Sequence, residues 1–466
     1  MYFYTSDTTI PTIHLSHIHI FTYPIHTMNK TILISLFSLL LLSCKPVETP
    51  TPTPVEPEDT THYLTANTTV VYECNERLFA RQNAFKKIQD YLPTLQEMQV
   101  NVLWLMPVHP RGTENSVGSP YCVKNYLAVD PAFGTLDDFK ALVDDAHSRG
   151  MLVMLDWVAN HTAWDNPWYK THPEWYTTPE GDERGWNDIA PLDYTQRAVC
   201  DTMCNVMLHW VQHYGVDGFR CDYAHGVPTA FWDSTITILR QAKPDIIMLA
   251  ETSKTEYFRA GFDWLYSWSY LSAIQNLFKD GKKVSSLLST SRTEYASTPK
   301  AKERLRYITT HDASSENAPS TFYRTADGEL AASCLTFFLG GVPMIYSSQE
   351  IGYLQRINFF DYKILSFDPS NATTQRWAAL MRAYVATAAE RAGERKDHST
   401  ESVAVFTYQQ GKKEMLVAVN CQNSPAEISI PAPFAEATVT DALKGATLQL
   451  NATLALDAYG YVVYTK

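Results

Sequence analysis

Positive charge and cysteine are both scarce in this chain of 466 residues. With 38 Lys and Arg against 50 Asp and Glu, the formal net charge is -12, which argues against polyanions and sets nucleic acid aside as a partner. The eight cysteines include no CxxC pair, and Cys200 and Cys204, four apart on an expected helix, lack the other ligands of a zinc site. Buried thiols acting as small apolar side chains are the better expectation. Long apolar runs are missing too: the stretch Thr31 to Leu42 is too short to cross a bilayer comfortably. No internal repeat occurs. What remains is an ordinary globular composition, 45% hydrophobic and 19% charged, on a chain long enough for a large core and more than one domain.

Met28-Asn29-Lys30 gives the apolar stretch a basic start and Leu41-Leu42-Ser43-Cys44 ends it, the layout of a signal peptide. That ending resembles the lipobox of bacterial lipoproteins, in which the cysteine becomes the lipidated first residue. The resemblance implies an exported protein held to a membrane only through Cys44, in the periplasm or at the cell surface. An ordinary cleaved signal is the alternative. Residues 1–27 hold four His and no targeting logic, so Met28 is the expected start. Lipidation of Cys44 leaves seven cysteines, an odd number, so at least one is unpaired within the chain. Pro46 to Thr60, rich in Thr-Pro and acids, cannot bury enough apolar surface to fold and reads as an extended tether.

From Val70 to about Leu365 apolar β-like runs alternate with helical ones, which predicts parallel strands. Eight strand candidates occur: Val70 to Tyr72, Val102 to Met106, Leu152 to Leu155, Gly218 to Cys221, Ile246 to Ala250, Asp263 to Tyr266, Leu305 to Thr309 and Val342 to Tyr346. Helical runs at Phe85 to Met98, Leu136 to Ser148, Gln196 to Tyr214, Pro228 to Gln241 and Gln375 to Arg391 favour an α/β fold, a closed (β/α)8 TIM barrel. Between Asn160 and Tyr194 no clear helix is expected. Yet five of the 11 Trp residues, at positions 157, 164, 168, 175 and 186, lie in or beside that connection, and aromatic faces at a barrel mouth suit sugar rings. After Glu394 short alternating segments predict a small β-sandwich. The expected organisation is a signal region over 1–44, a linker over 45–60, a barrel over 61–395 with an inserted loop domain at about 160–195 after strand 3, and a C-terminal β-sandwich over 396–466.

Three acidic strings follow β-like runs: Gly218-Phe219-Arg220-Cys221-Asp222, Leu249-Ala250-Glu251 and Thr310-His311-Asp312. Gaps of 29 and 61 residues between the carboxylates approximate one and two strand-helix units, as expected for residues at the same end of successive parallel strands. Cleaving a glycosidic bond with retention needs two carboxyls, one to attack the anomeric carbon and one to protonate the leaving oxygen. Asp222 suits attack, because Arg220, two residues earlier, faces the same way in an extended strand and can hold the carboxylate aimed. Glu251 suits the acid and base role, because it ends an apolar run where poor solvation keeps its proton on. Asp312, beside His311, can stabilise positive charge on the sugar. Taken singly, each acid has a plainer reading as a helix cap or salt-bridge partner.

Together with Asp156-Trp157-Val158-Ala159-Asn160-His161, these strings resemble the four ordered sequence regions of the α-amylase family of glycoside hydrolases, family 13. Trp104-Leu105-Met106-Pro107, Pro120-Tyr121 through Thr135, and Gly341 to Tyr346 with Gln349-Glu350 extend the similarity, over roughly residues 70 to 466. The resemblance implies Asp222 as nucleophile, Glu251 as acid and base, and Asp312 as transition-state stabiliser. It implies Tyr121 stacking on the sugar in the cleaved subsite, and His161, Arg220 and His311 touching its hydroxyls or the nucleophile. The implied substrate is an α-1,4-glucan, and the implied chemistry needs no cofactor; transglycosylation or glycan binding without turnover are the alternatives. A monomer is expected. The chain departs from the family pattern at Thr310 and Ser348, and more consequentially at Asp222-Tyr223-Ala224-His225-Gly226. There His225 takes the place of the usual Lys on the leaving-group side, and Gly226 that of the usual His. The missing His also weakens the family's structural calcium site, of which Asn160 matches another ligand position.

Overall fold

The computed structural model describes residues 67–177 and 186–466. The lipobox at Cys44 and the 45–60 tether lie outside the described residues, as do positions 178–185 of the Trp-rich connection. Eight parallel strands close into a barrel: β1 (Val71–Cys74), β2 (Val102–Leu105), β3 (Leu152–Trp157), β4 (Gly218–Cys221), β5 (Ile247–Ala250), β6 (Trp264–Leu265), β7 (Glu303–Arg306) and β8 (Val342–Tyr346), with β8 pairing back onto β1. Such strands are covered on both faces, which is why they read in the sequence as apolar runs with little alternation. Val71, Val102, Trp104, Met154, Leu249, Leu305 and Met344 fill the lumen. Their neighbours Tyr72, Leu103, Val153, Phe219 and Met248 pack outward under the helices. The β7 ladder sits about two residues earlier than the apolar run suggested. It pairs Leu305 and Arg306 with Val342 and Pro343, and Pro343 has no N–H to continue it.

The helices follow their sequence signals closely. Ala84–Glu97 buries Phe85, Ile88, Leu92 and Leu95 on one face. Leu136–Ser148 starts at a capping box, in which the Thr135 side chain accepts from the Asp138 backbone N–H while Asp138 reaches back to the Thr135 N–H. The run expected as one helix over Gln196 to Tyr214 divides into an α-helix, Arg197–His209, and one widened π turn, Trp210–Tyr214, closed by left-handed Gly215. The buried Trp210 indole in that turn donates to the Tyr126 carbonyl at 2.7 Å.

The connection after β3 differs from expectation in having a short helix, Pro167–Thr171, and a 3-10 turn, Pro173–Trp175. Asn166 caps the helix and Pro167 opens it; five residues are too few to show an apolar period. The residue pairs His161–Thr162 and Ala190–Pro191 close this loop as a two-strand ribbon. Its aromatics mostly pack on one another: Trp168 stacks on Tyr126 at 5.1 Å and meets Trp175 at 5.8 Å, while Trp157 sits fully buried.

The C-terminal part is a six-stranded antiparallel sheet facing a two-stranded one, Ala426–Ser429 with Thr453–Leu456. In the strand Val403–Gln410, Val403 and Val405 join the core between the two sheets, whereas Ala404, Phe406 and Tyr408 join the core shared with the barrel. Three strands without a sequence signal complete it: Glu394–Asp397, Thr438–Asp441 and Thr453–Leu456. Glu394–Asp397 is charged and exposed throughout, as suits a sheet edge. Among the described residues all seven cysteines are free thiols; six are buried and Cys200 is half-buried.

Candidate active site

The C-terminal ends of the barrel strands converge on one buried guanidinium. Arg220, in β4, directs Nη1 to Asp222 Oδ1 at 2.8 Å and to Asp156 Oδ1 at 2.9 Å. Its Nη2 lies 3.1 Å from Glu251 Oε1, and its Nε donates to the Tyr266 hydroxyl at 3.1 Å. The barrel register explains the grouping: Asp156 pairs with Arg220 across β3 and β4, and Cys221 pairs with Ala250 across β4 and β5, so Asp222 and Glu251 leave their strands side by side. The Trp104, Tyr121 and Tyr266 rings surround the cation at 5.4 to 5.6 Å.

One cation faces three carboxyl groups, so the site cannot comfortably ionise all of them. Burial pushes Glu251 up to about 8, and the negative charges of Asp222 and Asp312 add to the shift against the opposing pull of Arg220. Glu251 therefore holds its proton at neutral pH. Its Oε2 accepts the Tyr223 backbone N–H at 2.6 Å, which fixes the carboxyl's orientation. Asp156 is lifted to about 6, again by burial first and with Arg220 opposing. The side chain of Asp312 is 48% exposed, against 14% for both Asp222 and Glu251, so it stands at the solvent side of the group.

A second chain of contacts runs beneath. The Tyr121 hydroxyl donates to Asp156 Oδ2 at 3.1 Å and lies 2.7 Å from His311 Nε2. His311 Nδ1 meets the buried Glu73 carboxylate of β1. Burial works against charge on His311, but Asp312 and Glu73 outweigh it and raise the imidazole to about 9. His161 Nε2 lies 3.2 Å from the Tyr121 carbonyl and its Nδ1 lies 3.1 Å from Asn160 Nδ2, so the ring braces the Tyr121 loop.

Above these groups opens a cavity of about 510 Å³. Tyr121, His161, Asp222, His225, Glu251, His311 and Asp312 line it, and Arg220 lies buried below; every site residue singled out in the sequence is thus brought together. Sequence reasoning passed over Glu73, Trp268 and Phe359, and gave Asp156, Tyr223 and Tyr266 no site role of their own. Glu73 did leave a signal, a lone carboxylate inside an otherwise apolar strand. Of the five Trp residues in or beside the long connection, Trp186 is the one on the cavity wall.

Asn160 follows β3, and its Nδ2 lies 3.1 Å from His161 Nδ1, while Asp165 in the same loop is taken by the Lys124 ammonium at 2.8 Å and by Thr113. Among the described residues no cluster of three or more His, Cys, Asp and Glu is placed to hold a metal ion.

A closed parallel barrel sets carboxylates after strands 4, 5 and 7 around one cavity, an arrangement that supplies the paired carboxyls glycosidic-bond chemistry uses. Residues 84–188 match the model of the alpha amylase catalytic domain, so this stretch, like the ordered motifs above, is similar to the α-amylase family. It is 26% identical over 421 residues to the alpha-amylase MalA of Haloarcula japonica, covering 84% of this chain and 61% of that protein. It is 32% identical over 195 residues to the alpha-1,4-glucan:maltose-1-phosphate maltosyltransferase of Myxococcus xanthus, covering 36% of this chain and 29% of that one. The chain thus spans less than two thirds of the length of either relative. In fold it is similar to the maltogenic alpha-amylase AmyB of Thermotoga neapolitana, with a TM-score of 0.77 at 24% identity over 86% of this chain and 99% of that one.

Proposed function

We propose that this protein is a retaining glycoside hydrolase that cleaves α-1,4-glucosidic bonds in starch, glycogen or maltooligosaccharides. The observation that carries the reading is the single Arg220 guanidinium contacting both Asp222 and Glu251, with Glu251 kept protonated near neutrality. In the first step an Asp222 oxygen bonds to the anomeric carbon as the glycosidic C–O bond breaks, and the Glu251 proton passes to the leaving oxygen. In the second step water attacks that carbon, its proton returns to Glu251, and the bond to Asp222 breaks. Asp312 faces the positive charge that develops on the sugar in both steps. Tyr121, stacked on His311 at 5.4 Å, supplies an aromatic face for the sugar, and His161, His225 and His311 stand along its edge.

The test is the anomeric form of the first product. NMR of freshly cleaved maltopentaose should show the α-anomer before mutarotation; the β-anomer as first product overturns the double displacement. Glycosyl transfer is the second reading, favoured by the similarity to a maltosyltransferase. Products longer than the starting maltoheptaose would select it.

We also propose export as a lipoprotein anchored at Cys44, on the strength of the basic start and the Leu41-Leu42-Ser43-Cys44 ending. Mass spectrometry of natively expressed protein should find a lipidated Cys44; an unmodified Cys44 sinks the proposal.

A further inference from the structure

The chain departs from the α-amylase pattern just past Asp222, and the structure shows how the altered residues fit one another. Tyr223 takes the left-handed backbone conformation, φ 41° and ψ 44°, which is unfavourable for a bulky side chain. That turn folds its ring back over Gly226. A Cβ on Gly226 would lie 2.4 Å from Cδ1 and Cε1 of the ring and 2.4 Å from Asn160 Oδ1. A side chain at 226 and the Tyr223 ring therefore exclude each other, so the missing side chain at 226 and the aromatic residue at 223 are two halves of one arrangement.

The seated ring has neighbours that form a wall. It packs on His225 at 4.1 Å and meets Trp186 edge-on at 5.2 Å and 71°. All three line the cavity that holds Asp222 and Glu251, and Trp186 keeps 40% of its surface exposed. Because the Tyr223 N–H donates to Glu251 Oε2, the wall is rooted at the carboxyl that serves the leaving oxygen. A sugar attached through that oxygen would lie along this wall.

We propose that Tyr223, seated on Gly226 and backed by Trp186, is a specificity-determining residue for the leaving-group side: a ledge on which the departing or accepting pyranose stacks. This rests on the retaining reading above. A ledge binds through C–H faces and ring area, with little demand on hydroxyl pattern, so it favours a second glucose unit without fixing its direction strongly. The strain at Tyr223 is the kind that persists where surrounding structure holds a residue for function.

The test compares two donors that share the sugar on the Asp222 side. Maltotetraose presents a sugar to the ledge; α-maltosyl fluoride presents only fluoride. In Tyr223→Ala the ratio of kcat/KM for maltotetraose to that for α-maltosyl fluoride should fall at least tenfold, mainly through KM. In Tyr223→Phe, which keeps the ring, it should stay within about threefold of wild type. Gly226→Ala, which drives the ring off its seat, should reproduce the drop; if that variant does not fold, Tyr223→Ala decides alone. An unchanged ratio in Tyr223→Ala, or equal losses on both donors, overturns the ledge while leaving the retaining reading intact. If wild-type protein turns over neither donor, that underlying reading fails and the ledge falls with it.

Discussion

The Tyr121 hydroxyl lies 2.7 Å from His311 Nε2, and the other ring nitrogen of His311 meets Glu73, a residue 238 positions away in the chain. Closure of the barrel makes this contact. It connects the loop after β2 to the first turn after β7 through the inner face of β1, so the cavity floor is one bonded unit.

Removing the Tyr121 hydroxyl tests that unit. Tyr121→Phe keeps the ring but leaves Asp156 Oδ2 with the Trp104 indole alone, at 3.2 Å. Lost alignment of this kind costs about 10- to 100-fold in rate, so kcat should fall by that order while the melting temperature changes little. A wild-type kcat would show that the hydroxyl does not position the site.

Glu73→Gln should alter the pH dependence of stability. His311 is raised to about 9 in the folded protein, above the ordinary imidazole range. A raised imidazole contributes stability that is fully present below about 6.5 and is lost as pH rises through about 9. Thermal melts of wild type should therefore lose stability across that window. The Gln variant, with one of the two stabilising charges gone, should be less stable at pH 6 and lose less by pH 9. Parallel melting curves for the two proteins would refute the linkage.

Glu251→Gln should damage activity while helping the fold. Because Glu251 is protonated when folded up to about 8 and ionised when unfolded above the ordinary carboxyl range, it costs stability as pH rises from about 4.5 towards 8. The amide has no such cost, so the variant should melt higher than wild type at pH 8 and differ less at pH 5. Its rate on maltooligosaccharides should fall by several orders of magnitude, and formation of the glycosyl-enzyme from an activated donor should fall far less. Equal losses on both donors would remove Glu251 from the acid role.

Asp222→Asn should abolish turnover on every donor, activated or not, since no leaving group compensates for a missing nucleophile. Arg220 keeps Asp156 and the Glu251 carboxyl as partners, so circular dichroism should be unchanged. Near wild-type rates would refute the assignment.

Much of this arrangement was legible in the sequence because it depends on local apolar runs and their acidic ends. The runs at Val102, Leu152, Gly218 and Val342 could be read as strands because a parallel barrel buries both faces. Asp222, Glu251 and Asp312 could be placed together because strand ends share one rim. The Glu73–His311 contact could not, since it depends on where the barrel closes. Nor could the seat of Tyr223: the sequence marks Gly226 as unusual, but only the backbone turn at 223 shows what fills the space. The edge strand Glu394–Asp397 was illegible for the opposite reason, having no apolar residue at all.

Gly218, which opens the string ending in Asp222, ties the fold to the chemistry most directly. A Cβ there would lie 2.5 Å from the Ile247 carbonyl oxygen, which is main chain of β5 and cannot swing aside. Gly218→Ala must therefore push β4 away from β5 at the base of the Arg220–Asp222 segment. Overpacking of this kind costs roughly 1–3 kcal/mol. The displacement passes along only four residues to Asp222, so the gap between Asp222 and Glu251 widens at the rim. A lowered melting temperature together with a drop of more than tenfold in kcat is expected, and the kcat loss should persist well below the melting temperature, where the variant is fully folded. A variant that melts early but keeps its kcat at 20 °C would show that the spacing of the two carboxyls is set elsewhere than at this strand contact.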